Sequence, residues 1–283
     1  MRRTVRLSIV LAALTTGLVS SGCGTSPWPP EDKLDEVARA IEGNLDTLDA
    51  DMANAAAGIA QTGLDGDATR ATLSALSTRY PQAADCATIS PAGILVAVEP
   101  AAYQDAEGAN VSDQAQVMEA LQGQPVMSDL FTAVEGFPAM DYEYPLMANS
   151  VCTGTVSMLL KPADYFAGII EPLVDGTDCT GLVLQLDGVI LYDADASQVG
   201  LNTFTDPLYA DYAGLQEFAH VCVSTSTGAG TYRFTDSQTG DIVMKFTRWT
   251  TVEFHGAQWR VLLIKTGPAM ASWYAGLASQ ILP

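Results

Sequence analysis

Between Ser128 and Tyr144 the sequence gathers aromatic rings and carboxylates: Asp129, Phe131, Asp141, Tyr142 and Tyr144. Rings present a negative π face and carboxylates a full charge, so this set suits a cationic or amine-bearing small molecule. Packing alone also accounts for Tyr142 and Tyr144, because residues two apart on a strand share a face. A second acidic group, Asp193, Asp195 and Ser197, has the opening of a calcium loop. Gln198 and Phe204 stand where an EF-hand needs glycine and glutamate, so a solvated turn is the simpler reading. The two histidines, His220 and His255, have the chemistry of general bases. His255 falls in an expected turn and His220 on an expected helix near Cys222, positions that suit structural roles. No GxSxG, HExxH, P-loop or dinucleotide fingerprint occurs. The residues therefore point to binding rather than catalysis, with no cofactor and no metal site.

Charge narrows the partners. The chain has 33 acidic and 13 basic residues and a formal net charge of −20. Such a surface repels phosphate backbones and anionic lipid headgroups, which excludes nucleic-acid binding. At 283 residues with 48% hydrophobic content, the chain can build one large or two small domains.

The start, MRRTVRLSIVLAALTTGLVSSGCG, places Arg2, Arg3 and Arg6 before an apolar run from Leu7 to Val19, then Ser20, Ser21, Gly22 and Cys23. This is the order of a secretory leader, and the run is too short to span a bilayer as a helix. Cys23 after Ser-Gly resembles a lipobox, so residues 1–22 are expected to be removed and Cys23 to carry lipid; Ser20 stands where leucine is usual. Residues 23–30 then form a Pro-rich tether. An ordinary leader with an incidental cysteine is the alternative.

The elements that must position the candidate ligand residues follow from periodicity. Leu34, Ala38, Ile41, Leu45, Leu48, Met52, Ala55 and Ile59 recur in steps of four and three, which predicts one long helix. It can lie along more than one domain or pair with a second copy of itself. A shorter helix is expected from Asp67 to Thr78. Strands are expected over Asp85 to Ser90, Ile94 to Glu99, Val126 to Ala133, Asp141 to Ala148 and Thr153 to Lys161, with a helix from Gln114 to Gln122. Pro162 opens a further helix. The order then repeats: a hairpin turning at Asp187-Gly188, a helix within Asp206 to Val221, and strands at Gly230 to Thr235, Ile242 to Glu253 and Gln258 to Lys265. Pro268 to Leu282 reads as a short helix. The fold class is α+β: a long helix and two PAS-like subdomains of about five antiparallel strands each, over residues 31–175 and 176–266, then a tail at 267–283.

Setting Cys23 aside leaves Cys86, Cys152, Cys179 and Cys222, an even number in an exported chain, with no CxxC pair. Three pairings are open. Cys86 with Cys152 and Cys179 with Cys222 keep each bridge within one subdomain and are the expected pair.

Specific phrases add a family resemblance. TGLVLQLDGVILYDADASQVGLN, with Asp187-Gly188 at the turn and Asp193-Ala-Asp195 in the loop, resembles the second-subdomain hairpin of double Cache extracytoplasmic sensor domains. TVEFHGAQWRVLLI, with Gly256 at the turn and Trp259 opening the strand, is similar to their final hairpin. QPVMSDLF and YPLMANSVCTGTVSMLLKP, with Gly154 and Pro162, are similar to their third to fifth strands. The resemblance covers roughly residues 31 to 266. It implies two subdomains along one helix, the membrane-distal one holding a small ligand such as an amino acid, carboxylate or amine. Between Val126 and Asn149 there is no arginine or tryptophan, so the family's arginine-tryptophan amino-acid pattern is absent. The expected protein is a lipid-anchored extracytoplasmic sensor that reports to a separate membrane partner such as a receptor kinase. A solute-capture lipoprotein feeding a transporter, or an envelope structural or adhesion domain, is the alternative.

Overall fold

The computed structural model describes residues 26–235 and 239–269. Cys23, the leader and Trp273 lie outside the described residues. A helix α1 (Glu31–Thr62) of 32 residues opens the fold, about 48 Å long at 1.5 Å per residue. Its buried residues include every position of the predicted stripe, from Leu34 to Ile59. The stripe packs on the protein's own two sheets, so intramolecular burial, not pairing with a second copy, accounts for it.

The first sheet follows α2 (Asp67–Arg79). It contains β1 (Ala83–Ile89), β2 (Leu95–Glu99), β3 (Val126–Met127), β4 (Phe131–Thr132), β5 (Pro138–Ala148) and β6 (Val151–Leu160), with α3 (Ala115–Ala120) inserted before β3. Its order is β2-β1-β6-β5-β3, with β4 also on β5. Helix α4 (Pro162–Val174) leads to the second sheet. That sheet holds β7 (Cys179–Gln185), β8 (Ile190–Asp193), β9 (Gly228–Thr235), β10 (Ile242–Phe254) and β11 (Ala257–Ala269), with α5 (Ala213–Ser224) before β9. Its order, β8-β7-β11-β10-β9, repeats that of the first sheet. The architecture is α+β with two antiparallel sheets sharing one helix. Among the described residues no helix is long and apolar enough to cross a membrane.

Each sheet turns one face to α1 and the other away from it. In the first sheet Cys86, Met140, Tyr142, Val156 and Met158 share a core with α1. Gly188 makes the β7–β8 turn with φ 90°, and a Cβ there would lie 2.6 Å from the Phe204 ring. The amino end of α1 belongs to the second sheet, where Trp28 meets Phe246 edge-on at 5.4 Å, Arg248 reaches the Pro29 carbonyl and Lys265 the Ser26 carbonyl. Its carboxyl end belongs to the first sheet, where the Thr88 hydroxyl donates to the Leu64 carbonyl.

Three sequence expectations need correction. The strand expected over Val126 to Ala133 is two short strands, because the Ser128 hydroxyl accepts the Asp141 amide at 2.8 Å in place of a ladder carbonyl. Gly267 to Ala269, expected in a tail helix, extend β11, and the rest of that tail lies outside the described residues. The two disulfides are not formed: Cys86, Cys152, Cys179 and Cys222 are free. Cys86 pairs across the ladder with Met158, which lies six residues along β6 from Cys152, roughly 20 Å of strand. Cys179 and Cys222 are on opposite faces of the second sheet, since Thr180 faces the α5 side and its neighbour therefore faces away.

Candidate ligand-binding site

On the far side of the first sheet from α1, a cavity of about 30 Å³ is enclosed by β1, β5, β6 and the 131–135 segment. Its polar walls are Asp85, Glu135, Asp141, Ser157 and Gln114, and no lining side chain is basic. Asp141 is 3% exposed; its Oδ1 accepts the Ser157 hydroxyl at 2.6 Å and its Oδ2 lies 3.5 Å from Gln116 Nε2. Asp85, also 3% exposed, has an Oδ2 with no hydrogen-bond partner. Glu143, two residues along β5 from Asp141, is fully buried and neither of its carboxyl oxygens has a partner.

Removing carboxylates from water without a counter-charge favours their neutral forms. Burial pushes Asp85 up to about 8, with the charges of Glu135 and Asp141 adding to it. Burial raises Asp141 to about 6 against the hydrogen bonds from Ser157 and Gln116. Burial also holds Glu143 well above the usual carboxylate range, and the neighbouring Asp141 charge acts in the same direction. Glu135, half-buried, is raised by burial as well. Four acids thus converge where positive charge is missing.

Of the residues singled out from the sequence, the structure brings Phe131 and Asp141 together at this cavity. Tyr142 and Tyr144 lie on the opposite face of β5. Tyr142 is fully buried, and its hydroxyl donates to Asp49 of α1. Tyr144 packs half-buried on the same core and meets Tyr142 edge-on at 6.2 Å. Adjacent residues of a strand point to opposite faces, so Asp141 and Tyr142 do not line one pocket. Asp129 is exposed as a residue, and partial desolvation of its carboxyl, with the Asp187 charge adding to it, raises it. Asp85, Glu135 and Glu143 were missed. The signals were Asp85 as the lone charge in AADCATI and the alternation of Asp141 with Glu143 in MDYEYP.

His255 is not a base in a pocket. It sits at the β10–β11 turn with φ 40°, stacks on Tyr142 at 5.4 Å and places Nε2 3.0 Å from Asp49 Oδ1. Its carbonyl accepts the Met127 amide. His220 is exposed and stacks on Phe204 at 4.1 Å.

The second sheet has a larger cavity, about 300 Å³, on the equivalent face. Asp193 lines it, and burial pushes its carboxyl up to about 6. The turn expected to be solvated therefore points one acid inward. Asp195, by contrast, is engaged by the Ser197 amide and hydroxyl and by Gln198 Nε2.

Comparison with known proteins agrees with this geometry. Residues 43–162 match the family model for the sensor domain of HK/GC/chemotaxis-like proteins. An extracellular ligand binding receptor from Desulfohalobium retbaense is 31% identical over 82% of this chain, with a TM-score of 0.69. The chain spans 39% of that receptor chain's length. The ligand-binding domain of the Pseudomonas aeruginosa amino acid chemoreceptor PctB, solved with L-arginine, is 16% identical, with a TM-score of 0.57 over 83% of this chain and 92% of its own. That of the Pseudomonas fluorescens chemoreceptor CtaA, solved with L-alanine, is 13% identical, with a TM-score of 0.57 over 84% and 96%. No curated protein matches the sequence. The chain thus has the two-subdomain, double Cache-like fold of extracellular chemoreceptor ligand-binding domains, and its residues 43–162 match the sensor-domain family.

Proposed function

We propose that the protein is a lipid-anchored extracytoplasmic sensor that binds a small amine-bearing molecule in the subdomain far from the membrane. The observation that carries the ligand class is buried Asp85 and Asp141 with half-buried Glu135, walled by Phe131 and lacking any basic side chain. An ammonium there supplies the missing charge and turns three unfavourable desolvations into charge-assisted hydrogen bonds. At about 30 Å³ the cavity is large enough only for water, so binding requires the cover to move. The cover is fastened lightly: β4 is paired to β5 through Phe131 with Ala139 and Thr132 with Pro138.

The anchor reading fits the position of α1. Two residues, Gly24 and Thr25, separate Cys23 from Ser26, which is held against β11, a reach of at most about 10 Å. Lipid on Cys23 would place the second subdomain next to the membrane and the acidic cavity away from it. A lipid transmits no conformational change across a bilayer, so signalling runs through a separate membrane partner such as a receptor kinase.

The test is a thermal-shift and calorimetric screen of amines, amino acids and carboxylates. Amines should raise the melting temperature, as expected for a ligand that binds only the folded state. Asp141→Asn should remove that rise. If carboxylates stabilise and amines do not, the assignment of the site is wrong. Labelling with a lipid precursor should be lost in Cys23→Ser, and labelling that persists there would overturn the anchor.

A further inference from the structure

We propose that the cavity in the second sheet is a separate binding site, for a compact organic cation with one ammonium on an apolar body. Its volume, about 300 Å³, lies at the lower end of the range for small-molecule pockets. The floor is aliphatic, from Leu182 and Leu184 of β7 and Leu262 and Ile264 of β11. Four rings, Tyr209, Phe218, Tyr232 and Phe234, line it, the kind of wall that attracts a cation.

The polar groups single out where the charge goes. Asp195 is saturated by its own turn. The Tyr209 hydroxyl is committed to Gln198 Oε1 at 2.9 Å. Asp193 is different: its Oδ1 takes the Asp195 amide at 2.7 Å, while its Oδ2 has no hydrogen-bond partner among the described residues. The Tyr232 hydroxyl is likewise unengaged among the described residues, and burial and then the Asp193 charge act on it. One carboxylate oxygen and one hydroxyl therefore face a chamber with an aliphatic floor. An ammonium fits both as donor, and its hydrocarbon part covers the aliphatic floor.

Lys245 sets the limit on charge. It lines the same cavity and donates to the Thr266 hydroxyl at 2.7 Å. A second ammonium on the ligand would meet this cation, so a monoamine is accepted over a diamine. The distal acid group has no such cation, and the two sites therefore differ in the charge they select.

Titration calorimetry on the full chain, with isoamylamine as the probe, tests this. Isovalerate, of similar branched body but opposite charge, should not bind, and cadaverine should bind about tenfold more weakly or less. Asp193→Asn should weaken isoamylamine by about tenfold or more, the scale of a lost charge-assisted hydrogen bond. Tyr232→Phe, which removes only the hydroxyl, should weaken it severalfold with an unchanged melting temperature. Because the distal acids proposed above also take an amine, the titrations are run in the Asp141→Asn background, which silences that site and in which one isoamylamine site should remain. In that background, isoamylamine binding that survives Asp193→Asn and Tyr232→Phe, or isovalerate binding as tightly, would overturn the site. Binding lost in Asp141→Asn but kept in Asp193→Asn would place the amine in the first sheet instead, overturning this proposal while supporting the distal one.

Discussion

At the scale of single residues, Asp85 governs how the unliganded protein responds to pH. In the folded chain its carboxyl is pushed up to about 8, while in the unfolded chain it ionises near its ordinary 3.8. Between those values the folded state holds the extra proton. Stability is therefore full below about pH 4 and is lost as pH rises towards 8, by on the order of a few kcal/mol for this group. Asp141 and Glu143, both raised, act in the same direction. Melting curves from pH 5 to pH 8 should fall with rising pH, and Asp85→Asn should raise the melting temperature at pH 8 by several degrees and flatten the slope. A variant no more stable than the parent at pH 8 would show that Asp85 is not held neutral by burial. The same shift makes amine binding release a proton, since a bound ammonium favours the ionised carboxylate. At pH 7 the calorimetric enthalpy should differ between Tris and phosphate in proportion to their ionisation enthalpies. Equal enthalpies in the two buffers would count against Asp85 as the acceptor.

Elements carry the link between the two subdomains. Helix α1 presents Asp49 at its middle, β5 brings the Tyr142 hydroxyl to it, and the β10–β11 turn brings His255 Nε2. Asp141, in the distal cavity, and Tyr142, in this junction, are neighbours on one strand, so a shift of β5 on binding moves both. His255→Ala should leave amine affinity within about twofold while weakening the transfer of that shift to the second sheet, because it removes contacts made outside either cavity. Hydrogen exchange in β10 and β11 reads this out: ligand-induced protection there should shrink in the variant, and unchanged protection would exclude the turn as a coupling point. Arg260 plays a different part. Buried on β11, it donates to the carbonyls of Cys222, Val223 and Thr225 and so closes the carboxyl end of α5. Arg260→Met takes the guanidinium from the Cys222 and Val223 carbonyls and leaves Thr225 only the Trp249 indole, and should cost about 3 kcal/mol, measured by denaturant unfolding. Element positions were legible in the sequence wherever one pattern ruled, as in the α1 stripe, the Asp-Gly hairpin and Pro162. They were not legible where side chains replaced backbone partners, as Ser128 does in splitting β3 from β4, or where pairing depended on register, as with Cys86 and Cys152.

For the whole molecule, the two sheets are not independent bodies strung on a helix, because one buried face of α1 serves both. The sequence made this visible through a stripe longer than either sheet needs. It hid the acidic site, because Asp85, Asp141 and Glu143 come from two strands that only the β1–β6–β5 order brings together. The shared helix makes a specific demand on unfolding. Ile59 is 1% exposed and lies at the end of α1 that packs with the first sheet, whereas Trp249 and Trp259 report on the second. Ile59→Ala leaves a cavity in the first core and should cost about 2–5 kcal/mol. If α1 couples the sheets, loss of packing at its far end lowers the whole structure together. Tryptophan fluorescence and far-ultraviolet circular dichroism should then report one transition, shifted equally by Ile59→Ala. A fluorescence midpoint that stays in place while the dichroism midpoint moves would mean that the second sheet folds without the first. Binding in the distal cavity would then have no route through the core to the end of the molecule where the amino-terminal tether begins.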